Sequence, residues 1–397
     1  MTPFAIKQIT LKDIGPFDEL ELDLPVEPGI TLICGDNGIG KSTILETLAF
    51  SFSPSGNQRL KKKAGSDTGS LGIVVSNGGN ILQQVATINS FGPDETTYSH
   101  VFPSFSKFVI NVRTARDFSY IRRDALTRDP SADDYTASVR VASGIDGHEI
   151  KAWYSNRFLL APHSVQGGWT DAMKENLQAA TSYFAILDPS VSLSSVDVAT
   201  FDIMVKTPSG IIPFEYLSSG FRSAYILLLG ILKEIEFRGI GVSASEFAGI
   251  ILIDEIDLHL HPTWQRKIAK VLRAAFPLAQ IIATTHSPHV IQTAMASEVC
   301  ALVRGEDGVV SKRHLPSAKY GFMGWTLDEV LEDVMGVPDT KSSAYRLAVE
   351  DFDRAISSDD PNAAILALEV LREMLHPGNP YRKLIEIEAS TIIGNVG

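Results

Sequence analysis

The sequence predicts an α/β protein with a mixed, mainly parallel sheet. Three continuous apolar runs, "GITLICG", "FAGIILID" and "AQIIAT", occur in a chain whose other segments include helical patterns. Continuous apolar strands that alternate with helices are typical of a parallel sheet covered on both faces. With 397 residues, 44% of them hydrophobic and 21% charged, the chain can bury a large core. We expect one large domain with an insertion and an appendage.

The first part of the predicted core spans residues 1–112. "FAIKQITLKDIG" and "FDELELDL" alternate apolar and polar residues around Gly15-Pro16, which predicts a β-hairpin. "GITLICG" then predicts a buried strand and "KSTILETLAF" the helix after it. Beyond a loop rich in Gly, Ser and Asn, strands resume at "LGIVVS", "ILQQVATINS" and "KFVINV".

The rest of the chain divides by pattern into three regions. Residues 113–207 mix helices and strands and are predicted to be an insertion; "ARDFSYIRRDAL" is basic and amphipathic, and "DAMKENLQAATSYFAIL" is helical. Residues 208–318 return to the core with "SGFRSAYILLLGI" and "PTWQRKIAKVLRAAF" as helices. Residues 319–397 hold four short amphipathic helical patterns, which predict a helical appendage that binds a partner.

Charge and cysteine content limit the possible classes of protein. A net charge of −12 argues against DNA binding through a broad basic footprint. The cluster "RLKKK" is either a solvated loop or a local contact with nucleic acid or an acidic partner. Two cysteines, Cys34 and Cys300, fit a reducing cytoplasm. The longest apolar run, "AYILLLGIL", is too short to span a bilayer. We expect a soluble, cytoplasmic protein with no membrane partner.

"GDNGIGKS", residues 35–42, fits the pattern of a phosphate-binding loop. Its glycines let backbone N–H groups turn toward phosphate oxygens, and the following helix directs its N-terminus at the same charge. Lys41 would contact the β- and γ-phosphates, and the Ser42 hydroxyl would bind Mg²⁺. The alternative is a glycine-rich turn without a ligand.

Two further strand ends carry polar side chains. "GIILIDEID" ends in acids, where Asp254 would bind Mg²⁺ and Glu255 would polarise the attacking water. The alternative is a strand end that points acids at solvent. His286 follows the run "IIATT" and would sense the γ-phosphate or orient the water, unless it is an ordinary surface or core histidine.

"LSSGFRS" precedes the longest apolar helix pattern. Ser218 and Ser219 are good helix caps, which is the simple interpretation. A Ser-Gly helix N-terminus also binds anions, so Ser218 and the Gly220 N–H from a second copy could close one side of a triphosphate. His259 and His261 in "DLHLHP" are better explained by a turn packed on the next helix than by a metal pair.

Four motifs occur in the order that is typical of the ABC-type P-loop ATPase fold, which the chain resembles. They are a Walker A motif (GDNGIGKS), a signature (LSSGFRS), a Walker B motif (ILIDEIDLHLHP) and a switch histidine (TTHS). The resemblance implies two copies that sandwich two ATP molecules with Mg²⁺. Lys41, Glu255 and His286 would then be catalytic, and Ser42 and Asp254 would bind the metal. Asp257 would lie near the dimer seam. The implied nucleotide-binding residues are Gly35, Asp36, Asn37, Gly38, Ile39, Gly40, Lys41, Ser42 and Thr43, and the implied residues acting in trans are Ser218, Ser219, Gly220 and Arg222.

"DEIDLHLHPTWQ" and the tail "GFMGWTLDEVLEDVMGVP" further resemble the RecF, SMC and OLD-like branch, especially bacterial ATPases labelled as involved in virulence and the PtuA-like ATPases of Septu and retron anti-phage systems. That resemblance implies a separate effector, a nuclease such as an HNH protein or a retron reverse transcriptase complex. The main alternative is a RecF-like or SMC-like ATPase that acts on DNA. A transporter subunit is disfavoured because the signature differs and only Gln83 and Gln84 offer a Q-loop. Intact motif residues disfavour an inactive ATPase.

Overall fold

The computed structural model describes residues 3–54, 56–98, 101–116, 120–130, 133–162, 169–316 and 319–393. The chain divides into two compact units, Met1–Gly336 and Val337–Gly397. The first unit contains both predicted parts of the core together with the predicted insertion. In the described part of the second unit, all regular structure is helical.

Strands and helices are numbered in chain order. The strands are β1 (Phe4–Ile14), β2 (Phe17–Asp23), β3 (Gly29–Gly35), β4 (Gly69–Asn77), β5 (Asn80–Ile88), β6 (Val109–Val112), β7 (Ser192–Val196), β8 (Ile203–Thr207), β9 (Gly210–Pro213), β10 (Ile250–Ile253), β11 (Gln280–Thr284), β12 (Val299–Arg304) and β13 (Val310–Lys312). The helices are α1 (Lys41–Ser51), α2 (Asp134–Ser143), α3 (Gly147–Leu160), α4 (Asp171–Leu187), α5 (Ser219–Phe237), α6 (Pro262–Ala275), α7 (Pro288–Ile291), α8 (Leu327–Glu329), α9 (Ser343–Ser357), α10 (Pro361–Met374) and α11 (Pro380–Ile393).

A six-stranded sheet in the order β13-β12-β3-β11-β10-β6 forms the centre of the first unit. Five of its strands are parallel and β13 is antiparallel to β12, which confirms the predicted mixed, mainly parallel sheet. The three apolar runs form β3, β11 and β10, and these strands are direct neighbours. Their carboxyl ends therefore meet at one edge of the sheet, where ligands of α/β proteins bind.

A second, antiparallel sheet in the order β2-β1-β4-β5 contains the predicted hairpin. Its apolar face and the first face of the central sheet share a core that includes Ile9, Leu48 and Leu252. Gln280 of β11 joins the two sheets, because its side chain accepts a hydrogen bond from the Ile6 N–H at 2.8 Å and donates one to the Ile6 carbonyl at 2.7 Å. One buried amide thus fixes the position of β1 against the central sheet.

Helices α3 to α6 and the small sheet β7-β8-β9 share a second core with residues of the central sheet. Helix α5 is buried along most of its length because its apolar run faces this core on nearly all sides. Its buried charges are paired: Lys233 and Glu234 contact each other, and Arg140 of α2 binds both Glu234 and Glu149 of α3. The predicted helix over "DAMKENLQAATSYFAIL" is α4. In "ARDFSYIRRDAL" the described residues form no helix, and residues 117–119 lie outside the description.

The boundary between the units lies later than the sequence pattern suggests. Helix α8 and the π-helical turn Val330–Val334 correspond to "TLDEVLEDV", the first pattern of the predicted appendage. Phe322, Val330 and Val334 are fully buried in the core of the first unit. The second unit consists of α9, α10 and α11 around a small core of its own that includes Phe352 and Ile385. No described helix has the length and apolar content required to cross a membrane.

Candidate functional site

The predicted phosphate-binding loop joins the end of β3 to the start of α1. Gly35 and Gly40 have φ values of 138° and 107°, in the region that favours glycine. A Cβ atom on Gly35 would stand 2.5 Å from the Leu302 carbonyl oxygen, and one on Gly40 would run into the Phe17 ring. Neither position accommodates a side chain, so these two residues can offer a phosphate only their backbone N–H groups.

Lys41 is buried, and its ammonium group lies against the loop. Nζ donates hydrogen bonds to the carbonyl oxygens of Gly35 and Asp36, both at 2.9 Å. Because burial desolvates the charge, the pKa of Lys41 is lowered. Ile39 is buried in the core beneath the loop, which anchors it. Asp36, Asn37, Gly38 and Ser42 are exposed, whereas Gly40 and Thr43 are half-buried.

Asp254 follows β10 and lies directly beside the loop. Ser42 Oγ donates a hydrogen bond to Asp254 Oδ1 at 3.0 Å. Thr284 at the end of β11 donates a second hydrogen bond to the same oxygen, at 2.7 Å. The three adjacent strands therefore bring together the two predicted metal ligands and a threonine that the motifs did not single out.

Glu255 has a φ of 53°, in the left-handed region that is uncommon for residues other than glycine. Its N–H donates a 2.7 Å hydrogen bond to Thr284 Oγ1. The next N–H, that of Ile256, donates to the Thr284 carbonyl at 2.9 Å. Strained backbone of this kind persists where the surroundings fix it, and here Thr284 holds the turn from both of its oxygens.

Asp257 and His286 are linked through the end of β11. Thr285 Oγ1 donates a 2.6 Å hydrogen bond to Asp257 Oδ1, and the His286 N–H donates to the same oxygen at 3.3 Å. The His286 side chain is exposed. The Asp257 carboxylate thus holds the segment that carries His286. The sequence signal that could have identified this role is the Thr-Thr pair in "IIATTHSP".

The signature segment forms the N-terminus of α5. Ser218 is the N-cap residue, yet its side chain makes no capping hydrogen bond, and both Ser218 and Ser219 are exposed. Arg222 is half-buried, and its Nη1 contacts the Glu215 carbonyl at 3.5 Å. The two serine hydroxyls are therefore exposed at a helix N-terminus, where an anion is favoured.

A cleft of about 510 Å³ opens at this helix end. Gly220 lies so close to the turn after Asp257 that a Cβ atom would stand 2.7 Å from the His259 carbonyl oxygen. His261 caps α6 by accepting from the Thr263 N–H. Among the described residues, those that line the cleft come from the signature, this turn, α6 and Asp188, and none comes from the phosphate-binding loop.

Gln83 and Gln84 do not lie at the carboxyl edge of the central sheet. Both belong to β5, where they pair with Val74 and Ile73 of β4, and both side chains are exposed. The residue that reaches Asp254 from the neighbouring strand is Arg116, in the loop after β6. Neither glutamine is a site residue in this fold.

A glycine-rich loop between a parallel strand and a helix, a buried lysine on that loop, and acidic residues on a nearby strand end define a P-loop ATPase. Over residues 30–292, the chain matches the family model described as "AAA domain, putative AbiEii toxin, Type IV TA system". It is 39% identical over 391 residues to the "Septu protein PtuA" of Bacillus thuringiensis, across 97% of this chain and 98% of that protein. The chain belongs to this family of ATPases.

More distant similarities cover part of the chain. Over 172 residues it is 28% identical to the "Retron Ec83 probable ATPase" of Escherichia coli, which is 43% of this chain and 30% of that protein. Among solved structures, it is similar to the SMC head domain from Thermotoga maritima, with a TM-score of 0.45 and 14% identity over 79% of this chain and 99% of that one.

Proposed function

We propose that this chain hydrolyses Mg²⁺–ATP between two copies of itself and that ATP occupancy regulates a separate effector in anti-phage defence. One observation carries the catalytic part of the proposal. Ser42, Asp254, Thr284 and Glu255 are joined by consecutive hydrogen bonds at the ends of three adjacent strands. The Septu and retron names of its relatives support the defence role.

The donor set at this edge fits Mg²⁺. Ser42 Oγ and Asp254 Oδ1 are hard oxygen ligands 3.0 Å apart. In the part of the chain that the structure describes, no cluster of three His, Cys, Asp or Glu side chains could form a metal site. Mg²⁺ commonly takes one or two protein oxygens and completes its shell with phosphates and water. When bound, it would neutralise charge on the β- and γ-phosphates.

The remaining work falls to side chains of the loop and the two strand ends. The loop N–H groups and Lys41 bind the phosphates, and the ammonium group exchanges its two carbonyl partners for phosphate oxygens. The Glu255 carboxylate accepts a proton from the attacking water. His286, whose segment is held by Asp257, contacts the γ-phosphate. Preorganised charges of this kind stabilise the transferring phosphoryl group.

The second copy supplies the signature. Ser218 and Ser219 are exposed, and the Ser218 hydroxyl does not cap its own helix. The described residues that line the adjacent cleft include none from the phosphate-binding loop. The cleft is therefore a separate binding surface, and it suits a triphosphate held by the loop of a partner copy. Ser218, Ser219, Gly220 and Arg222 would then act in trans, with Asp257 close to the seam.

Complementation between two inactive variants tests this arrangement. Lys41→Ala removes the phosphate contact, and Ser218→Arg blocks the signature while sparing nucleotide binding. Each variant alone should therefore neither dimerise when ATP is added nor hydrolyse ATP. Mixed in equal amounts, they should regain up to about half of the intact sites, because neither variant associates with itself and every mixed dimer carries one good site of two. Folded variants that never complement each other would contradict action in trans.

The helical second unit is the proposed surface for the effector, which would be a nuclease such as an HNH protein or a retron reverse transcriptase complex. Leu347, Leu366 and Ile387 are 60%, 65% and 65% exposed on its helices. Leu366→Glu should abolish co-purification with the protein encoded by the adjacent gene. The matched control is Val198→Glu, at a somewhat more exposed position of the first unit (74%). If both variants retain the effector equally, the second unit is not its docking surface.

A DNA-maintenance ATPase is the alternative function, and the basic cluster "RLKKK" is the feature that would favour it. Lys61 donates to the carbonyls of Gly92 and Glu95, Lys62 donates to the Asp67 carbonyl, and Lys63 pairs with Asp18. Of these three lysines only Lys63 pairs with a carboxylate among the described residues, since the partners of Lys61 and Lys62 are neutral carbonyls. The net charge of −12 is what supports the effector over DNA. A duplex-stimulated ATPase rate that falls steeply with salt would reverse this preference.

A further inference from the structure

Arg116 is a buried cation that none of the motifs includes. It lies in the loop after β6, the strand that borders β10 on the side away from β11. Only 3% of the residue is exposed. Long charged side chains are almost never buried to this extent unless they are paired. Its surroundings therefore have to explain why a charge occupies this position.

The guanidinium group is held by backbone oxygens on two sides. Nε donates to the Arg113 carbonyl at 3.2 Å, and Nη2 donates to the Asp254 carbonyl. Nη1 is buried and has no hydrogen-bond partner among the residues that the structure describes. Burial lowers the pKa of Arg116 to about 10, while the charges of Asp254, Asp257 and Glu255 oppose that shift.

A side chain chosen for stability alone would look different here. An unused buried N–H costs about 1–3 kcal/mol, and apolar replacements of buried ionic groups are often neutral or stabilising. Arg116 instead donates a hydrogen bond to the backbone beside the proposed base. The Asp254 carbonyl belongs to the peptide that joins the metal aspartate to Glu255, and Glu255 is in the left-handed conformation with φ 53°.

We infer that Arg116 is a positioning residue for hydrolysis, which holds the Asp254–Glu255 peptide so that the Glu255 carboxylate faces the attacking water. Thr284 fixes this peptide from β11, through the Glu255 N–H, and Arg116 fixes it from the β6 side, through the Asp254 carbonyl. Clamped at both ends, the strained turn cannot relax. The inference rests on the proposed function, because it requires Glu255 to be the base.

Arg116→Met tests the inference, since methionine fills the space without donating a hydrogen bond. ATP affinity, measured by nucleotide titration, should stay within about 2-fold of wild type, and kcat should fall about 100-fold, the loss expected from a misplaced catalytic group. Arg116→Lys should recover part of kcat, because an ammonium group can still donate a hydrogen bond to a carbonyl. The recovery should be incomplete, because ammonium lacks the planar geometry of guanidinium. Millimolar methylguanidinium should raise kcat of Arg116→Ala, whose shortened side chain leaves room for the added guanidinium group.

Arg273→Met is the matched control. Arg273 pairs with Glu298 at 2.7 Å near the amino edge of the sheet, opposite the site, so its loss should leave kcat unchanged. A purely structural role for Arg116 predicts that ATP affinity and thermal stability fall together with kcat and that methylguanidinium restores nothing. Either that result or a wild-type kcat in Arg116→Met overturns the inference.

A double-mutant cycle separates this inference from the proposed function. If Arg116 acts through Glu255, Arg116→Met combined with Glu255→Gln should be no slower than Glu255→Gln alone. Additive losses would show that Arg116 acts on another group and would overturn the inference, while the base assignment stands. A Glu255→Gln variant with wild-type kcat would instead remove the proposed base, and the role of Arg116 with it.

Discussion

Thr284 Oγ1 donates a hydrogen bond to Asp254 Oδ1 and accepts one from the next N–H of the same strand end, that of Glu255, both at 2.7 Å. A single hydroxyl group therefore orients the proposed metal ligand and the backbone of the proposed base. Both donor and acceptor capacities of the hydroxyl are used, so the side chain has one orientation.

Replacing Thr284 with valine keeps the shape of the side chain and removes this hydroxyl. The Glu255 N–H then loses its acceptor, and an unsatisfied buried donor costs about 1–3 kcal/mol. We expect kcat for ATP to fall about 10-fold or more while the fold is retained, as measured by steady-state turnover and circular dichroism. Thr284→Ser keeps the hydroxyl and should remain near wild type; equal losses in both variants would contradict the assigned role.

Glu255→Gln should bind ATP but hydrolyse it only at a small residual rate, because the amide cannot accept the proton from water. With turnover blocked, the ATP-bound dimer should accumulate. Size-exclusion chromatography with multi-angle light scattering should then show a dimer with ATP and a monomer without it. A variant that turns over ATP at the wild-type rate would rule out Glu255 as the base.

Gly220→Ala introduces a Cβ atom 2.7 Å from the His259 carbonyl oxygen. Because that neighbour is backbone, the helix end or the turn has to move, and overpacking of this kind costs about 1–3 kcal/mol. We expect ATP-driven association to be lost with nucleotide binding retained. The control is Gly324→Ala, where the added atom meets open space. Unchanged association of Gly220→Ala would indicate that the signature does not need this packing.

Glu149 gives a prediction for acid stability. Burial raises its pKa, but hydrogen bonds and charges from Arg140 and Lys233 outweigh that effect and bring it to about 2. A carboxylate with a depressed pKa stabilises the fold above its unfolded pKa and loses that contribution as the pH falls through the folded pKa. The free energy of unfolding should therefore fall between about pH 4.5 and pH 2, and less steeply in Glu149→Gln. Parallel profiles would contradict this.

The sequence predicts those parts of the fold that depend on local pattern. The continuous apolar runs of β3, β10 and β11 identify the parallel sheet because such strands are buried on both faces. The boundary of the appendage is misplaced because amphipathic periodicity shows that α8 has a buried face without showing which core buries it. Only the structure shows that Phe322 and Val334 are buried in the core of the first unit.

Site residues can be predicted where a motif is contiguous in the sequence, and they cannot where the contacts are made between separate strands. Residues 35–42 and 254–255 identify themselves by type and spacing. Arg116 and Thr284 reach Asp254 from β6 and β11, which are far from it in the chain. Strand order cannot be derived from the pattern of one sequence, so neither contact could be predicted. For the same reason Gln83 and Gln84 were plausible candidates for an edge position that β5 does not reach.

The central place of β3 has a consequence for biosynthesis. Its two neighbours, β11 and β12, begin at residues 280 and 299, so the walls around the nucleotide loop are translated long after the loop itself. At about 5–20 residues per second, the delay is on the order of ten to fifty seconds. Until then the growing polypeptide exposes an unpaired, strongly apolar segment. Under the proposed function, ATP binding and ATP-driven association would both have to wait until most of the chain has left the ribosome.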